Sequence, residues 1–150
     1  MTATETLKFK IEMSATYWEK LPVFSVLFNG KIINNKQRVW TESGELFVIE
    51  FEEEVEEGRK CELAVKLENK TRYDTVENAE KTEVVKDMLL HIKRVEIDEI
   101  DLGSLIWNKS EFIPASDTYP VLDQCVDLGW NGTWKFSFES PFYIWLLENI

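Results

Sequence analysis

The chain has 150 residues, 44% of them hydrophobic and 30% charged, a composition that fits one globular domain with a single core and excludes a disordered chain. Its formal net charge of −11 works against binding to nucleic-acid backbones and anionic membranes, where Lys and Arg must displace counterions. The opening MTATETLKFKIEMS has no basic start followed by an apolar block, and no apolar run reaches the roughly 18–20 residues of a membrane span. The chain therefore reads as cytoplasmic as synthesised.

Alternation of apolar and polar residues runs to about residue 102. PVFSVLFNGKII places Phe24, Val26 and Phe28 on one face and then reaches Asn29-Gly30, a strong hairpin signal because both turn positions need positive φ. Phe47, Ile49 and Phe51 alternate in LFVIEF, as do Leu63, Val65 and Leu67 in CELAVKLE. The EEEVEEGRK between them reads as an acidic, solvated turn closed by Gly58. TRYDTVENAEKTEVVKD is polar and aperiodic, an excursion between strands.

In MLLHIKRVEIDEIDLGSL, Leu90 and Ile92 share one parity while Val95 and Ile97 share the other. One extra residue near Lys93-Arg94 accounts for the shift, and a β-bulge is the usual device. Asp98-Glu99 reads as a tight turn. WNKSEFIPASDTYPVLDQCVDLGWNG carries prolines and turn residues, and reads as a long wrapping connection. Trp134, Phe136 and Phe138 alternate as a last strand. Ser140 as N-cap and Pro141 at the first helical position then predict a short C-terminal helix, PFYIWLLEN, with a continued strand as the alternative. The expected fold is a mainly β, antiparallel, jelly-roll-like sandwich in one domain over 1–150. Core strands occupy about 8–102; the wrapping segment, last strand and terminal helix occupy 103–150.

Chemistry-bearing motifs are sparse. His91, the only histidine, lies within a strand, and no serine or cysteine sits in a nucleophile signature. Cys61 and Cys125 match no metal or redox spacing and read as buried free thiols, with a disulfide as the minor alternative. Glu68, Asp74 and Asp87 flank the polar excursion and are weak candidates for a calcium site. Asn69, Asn108 and Asn131 head Asn-Xaa-Ser/Thr triplets and read as turn residues. The chain therefore reads as non-enzymatic. Trp107 and Trp130 sit in turn-like segments, where aromatic rings reach the surface and can stack on sugars. Phe142, Tyr143, Trp145, Leu146 and Leu147 form a block too apolar to leave in water, so they are the expected partner-binding surface.

The stretch from Val23 to Leu102, with FSVLFNGKII, KLENK, MLLHIKRVEI and DEIDL, resembles the jelly-roll carbohydrate-binding modules of the calcium-dependent xylan-binding kind. That resemblance implies acidic calcium ligands where this chain has Lys70 and Lys93, so no cofactor is expected and calcium is disfavoured. The ending GWNGTWKFSFESPFYIWLLENI is similar in style to small acidic β-sandwich proteins that tailed phages encode among their virion genes. This second resemblance implies a structural virion or accessory protein that assembles through its aromatic C-terminus with copies of itself or other virion components. The alternative is a carbohydrate-binding module that uses Trp107 or Trp130 on a glycan. Neither reading includes a nucleic-acid or membrane partner.

Overall fold

A period of two puts every second side chain on one face of a strand. The longest strand, β1 (Thr4–Thr16), accordingly buries Leu7, Phe9, Ile11, Met13 and Ala15. The structure, a computed structural model, describes residues 3–150. β1 pairs antiparallel with β4 (Phe47–Glu56) on one side and with β8 (Leu89–Ile97) on the other. β12 (Asp127–Leu128) continues this sheet beyond β8, and β9 (Ile100–Asp101) also pairs with β8.

The second sheet runs in the order β11 (Leu122–Asp123), β10 (Ser110–Pro114), β13 (Gly132–Glu139), β5 (Lys60–Leu67), β2 (Val23–Phe28) and β3 (Lys31–Arg38). Its pairings are all antiparallel. A small hairpin of β6 (Val76–Glu77) and β7 (Val84–Lys86) stands apart from both sheets. The chain changes sheet after each strand or hairpin, so the inner faces close on one core as an antiparallel β-sandwich. Phe24, Leu63, Leu67, Trp134, Phe136 and Phe138 supply the second sheet's share of that core.

The local signals hold where the backbone demands them. Asn29 and Gly30 sit at φ 49° and 80° between β2 and β3, and Asp98 and Glu99 at φ 51° and 66° between β8 and β9. The parity shift in β8 is a bulge: Arg94 faces Glu12 and Ile92 faces Met13, which leaves Lys93 as the extra residue. Leu90, Ile92, Val95 and Ile97 thereby all point inward.

Three expectations need correction. The acidic stretch is not a loop: β4 runs on to Glu56, and its exposed Glu50, Glu52, Glu54 and Glu56 line an edge strand. Charges there discourage pairing with another chain's edge. The segment after residue 103 is more than a wrapping connection. It holds the one-turn helix α1 (Leu105–Asn108), which buries Leu105 and Ile106, and it holds β10, which buries Phe112 beside β13.

The third correction concerns the terminal helix, α2 (Phe142–Asn149), which begins one residue later than expected, with Pro141 in the N-cap position. Its capping oxygen comes from the other end of the chain: Glu5 Oε2 accepts the Phe142 N–H at 2.9 Å and the Ser140 hydroxyl. Among the described residues, no helix is long and apolar enough to cross a membrane.

Candidate functional site

One end of the sandwich gathers the polar excursion, the turn after β1 and the turn before β13 around a single buried cation. Lys70 follows β5, and its side chain is 2% exposed. The ammonium donates to Asp87 Oδ1 and to the Gly129 carbonyl, both at 2.6 Å, and lies 5.6 Å from the centre of the Trp130 ring. Its backbone is held as well, since Asn131 accepts the Lys70 N–H and donates to the Lys70 carbonyl, each at 2.8 Å.

Asp87 Oδ1 further accepts the Thr75 hydroxyl at 2.6 Å and the Met88 N–H at 2.8 Å. Burial resists the Asp87 charge, but the hydrogen bonds from Lys70, Thr75 and Met88 outweigh it, and its carboxyl titrates below the ordinary range. Asn69 and Asn131 each hydrogen-bond backbone from a distant part of the chain, whereas Asn108, also expected in a turn, ends the helix α1.

The three weak calcium candidates do not converge. Glu68 accepts the Ser25 hydroxyl and lies 3.6 Å from Lys66; Asp74 pairs with Lys20 at 2.9 Å; Asp87 pairs with Lys70. Among the described residues, no group of three or more His, Cys, Asp or Glu side chains could hold a metal ion. The calcium that the resemblance implies does not fit here, because a hard cation needs roughly six to eight free oxygen ligands and an ammonium already takes these. Lys93 is exposed at the bulge.

Beside this cation runs a groove of about 440 Å³ lined by Thr16, Tyr17, Trp18, Val84, Val85, Lys86, Asp87 and Leu89. Trp18 is 40% exposed, and its indole N–H donates to the Asp74 carbonyl at 2.9 Å, which fixes the ring plane. Asp74 is itself pinned by Lys20 and by the Thr71 N–H. Val84 and Val85 face solvent from β7, and the Lys86 ammonium lies over the Trp18 ring, 4.7 Å from its centre, in a cation–π contact. Alternation does not single out Trp18, although an aromatic residue in the polar YWEK break after a strand marks a surface ring.

His91 is a half-buried strand residue on the outer face of the first sheet. Its Nε2 lies 2.9 Å from Thr16 Oγ1 and its Nδ1 2.7 Å from Asp127 Oδ1. This spacing meets the nucleophile–base–carboxylate order, but acyl transfer also needs oxyanion donors. The adjacent Tyr17 N–H is already bonded to Ser43 Oγ at 3.1 Å. The trio works as a cross-strand clasp that holds β12 on β8. Cys61 is buried, Cys125 is half-buried rather than buried, and both are free. Burial raises both thiol pKa values, so neither is a poised thiolate.

The aromatic candidates divide. Trp107 is 46% exposed on α1, whereas Trp130 is half-buried between Lys70 and Tyr119, whose ring centre is 5.4 Å away. The terminal block splits along the helix. Phe142 and Leu146 are buried and the half-buried Trp145 packs edge-on to Phe136 at 5.8 Å, so these three pack against the chain's own core. Tyr143 and Leu147, joined by Ile144 and Ile150, face outward.

Two facing sheets of this topology make an antiparallel β-sandwich. The fold is similar to that of a solved structure described as vCBM60 in complex with galactobiose. The TM-score is 0.52 at 9% sequence identity, over 86% of this chain and 96% of that one. No known family's sequence pattern matches the chain, and neither does any curated protein.

Proposed function

We propose that the protein is a non-catalytic carbohydrate-binding module whose ligand lies in the groove beside Trp18. The observation that carries this reading is a half-exposed indole, fixed by its own hydrogen bond, over a groove with apolar Val84 and Val85 on one wall. The C–H faces of a pyranose ring stack on such a platform, and polar groups at the rim orient its hydroxyls. The fold's likeness to a module in complex with galactobiose supports the reading. Lys70 holds the loops around the groove in place, a preorganisation that lowers the ordering cost of binding. Affinity gel electrophoresis against plant, algal and bacterial polysaccharides, with Trp18→Ala, Trp130→Ala and Trp107→Ala variants, tests it. Retention of at least one glycan, lost in Trp18→Ala and kept in Trp107→Ala, is the expected result. No retention by any glycan, or retention indifferent to Trp18, would overturn it.

A second reading, self-association through the terminal helix, is favoured by one observation: Tyr143, Ile144, Leu147 and Ile150 are each more than half exposed on one short element. Light scattering on the parent and on Leu147→Lys distinguishes it. A dimer that becomes a monomer supports this reading, and a parent that is monomeric at high concentration removes it.

A further inference from the structure

We infer that the sugar taken by the Trp18 groove is acidic, a uronic acid residue whose carboxylate is met by Lys86. This deepens the carbohydrate reading and rests on it. The groove has two charged lining side chains, Lys86 and Asp87. Asp87 is already neutralised within the protein by Lys70 at 2.6 Å. Lys86 is exposed and enters none of the ion pairs among the described residues. Glu77, on the same hairpin, and Glu83, beside it, do not line the groove.

The groove is thus locally cationic on a chain whose net charge is −11. The placement of the ammonium adds to this argument. It lies over the Trp18 ring, 4.7 Å from its centre, in a cation–π contact, so a sugar seated on the uncovered part of that ring brings a carboxylate within the ammonium's reach. An ammonium–carboxylate contact of this kind is among the stronger hydrogen bonds and is weakened by salt. A neutral hexose or pentose would leave Lys86 with its cation–π contact to Trp18 and no counter-charge, so the groove discriminates by charge as well as by shape.

The test uses the full chain and matched pairs of polysaccharides: polygalacturonate against neutral galactan, and alginate against neutral xylan. The expected result is stronger retention of the acidic member of a pair, weakening as salt is raised. Lys86→Gln should reduce acidic binding about tenfold, the size expected for loss of one charge-assisted contact, and so remove the preference for the acidic member of each pair. Circular dichroism of Lys86→Gln, an exposed substitution, checks that the fold is intact. Equal retention of both members, with Lys86→Gln indistinguishable from the parent, would overturn charge selection and leave the carbohydrate reading standing. Retention of no polysaccharide overturns both.

Discussion

Lys70 and Asp87, 17 residues apart in sequence, meet at 2.6 Å with the lysine side chain almost wholly removed from water. Through that contact and the Gly129 carbonyl, one internal ammonium ties the end of β5 to the excursion and to the turn before the last strand. A buried charge held this way contributes little over an apolar substitute, yet removing one partner is costly because the other is left unanswered.

Lys70→Met should therefore destabilise the protein by roughly 2–4 kcal/mol, somewhat below the full penalty for a buried pair because Asp87 keeps some contact with solvent. Urea denaturation followed by tryptophan fluorescence measures this. Because the cation is built into the chain, adding a chelator should leave the melting temperature of the parent unchanged. A fall on chelation would show that a metal supports this end of the sandwich.

The acid limb of stability follows from Asp87 and Asp74. Burial opposes both charges, but hydrogen bonds from Lys70, Thr75 and Met88 at Asp87, and from Thr71 and Lys20 at Asp74, hold both carboxyls below their ordinary 3.8. A carboxyl lowered on folding adds stability that is complete above its unfolded pKa and disappears as pH falls through the folded one. Urea midpoints should thus be flat above about pH 5 and fall below about pH 4. Asp87→Asn should be less stable than the parent at pH 7 and show a shallower decline in acid. An equal decline in both proteins would remove Asp87 from the account.

Gly132 is required by close approach. A Cβ there would lie 2.5 Å from the Ile113 carbonyl oxygen and 2.8 Å from Pro114 Cα on the neighbouring strand. Both are backbone atoms that cannot rotate away, so Gly132→Ala should cost about 1–3 kcal/mol, the range for overpacking. Thermal unfolding measures it; a variant as stable as the parent would show that β10 and β13 separate easily.

Glu5→Ala removes the oxygen that receives both the Ser140 hydroxyl and the Phe142 N–H. The expected loss is about 1–2 kcal/mol, the size of a lost helix cap. Near-ultraviolet circular dichroism should also change, because Phe142 and Trp145 report on how α2 seats. An unchanged spectrum would mean that the helix docks by its apolar face alone.

Much of the sandwich was legible because its signals are local. Asn29-Gly30 needs two positive φ angles wherever it sits, and the parity shift between Ile92 and Val95 forces an extra residue whatever the partner strand is. SEFIP does not read as a strand because five residues ending in proline carry too little periodicity. β10 is a strand only because β13 lies beside it. The Glu5 cap was invisible for a related reason, since nothing near Ser140 points to a carboxylate 135 residues away. At the candidate site, Lys70 stood out as a lysine where the resemblance implies an acid. Trp18 did not, because its importance comes from Asp74, Lys86 and the β6–β7 hairpin, which the fold alone brings to it.

The place of β13 has a consequence for how the molecule is made. This strand lies between β10 and β5 in the second sheet, yet it is the last strand in the chain. Until residue 139 has been added, that sheet exists as two unjoined halves, each with an open edge and an uncovered apolar face. Folding therefore closes late and over long sequence separations, the condition under which chains fold slowly and associate with one another. A ribosome stalled before Gly132 should hold a protease-sensitive, chaperone-binding chain, and release of the final strand should convert it in one cooperative step.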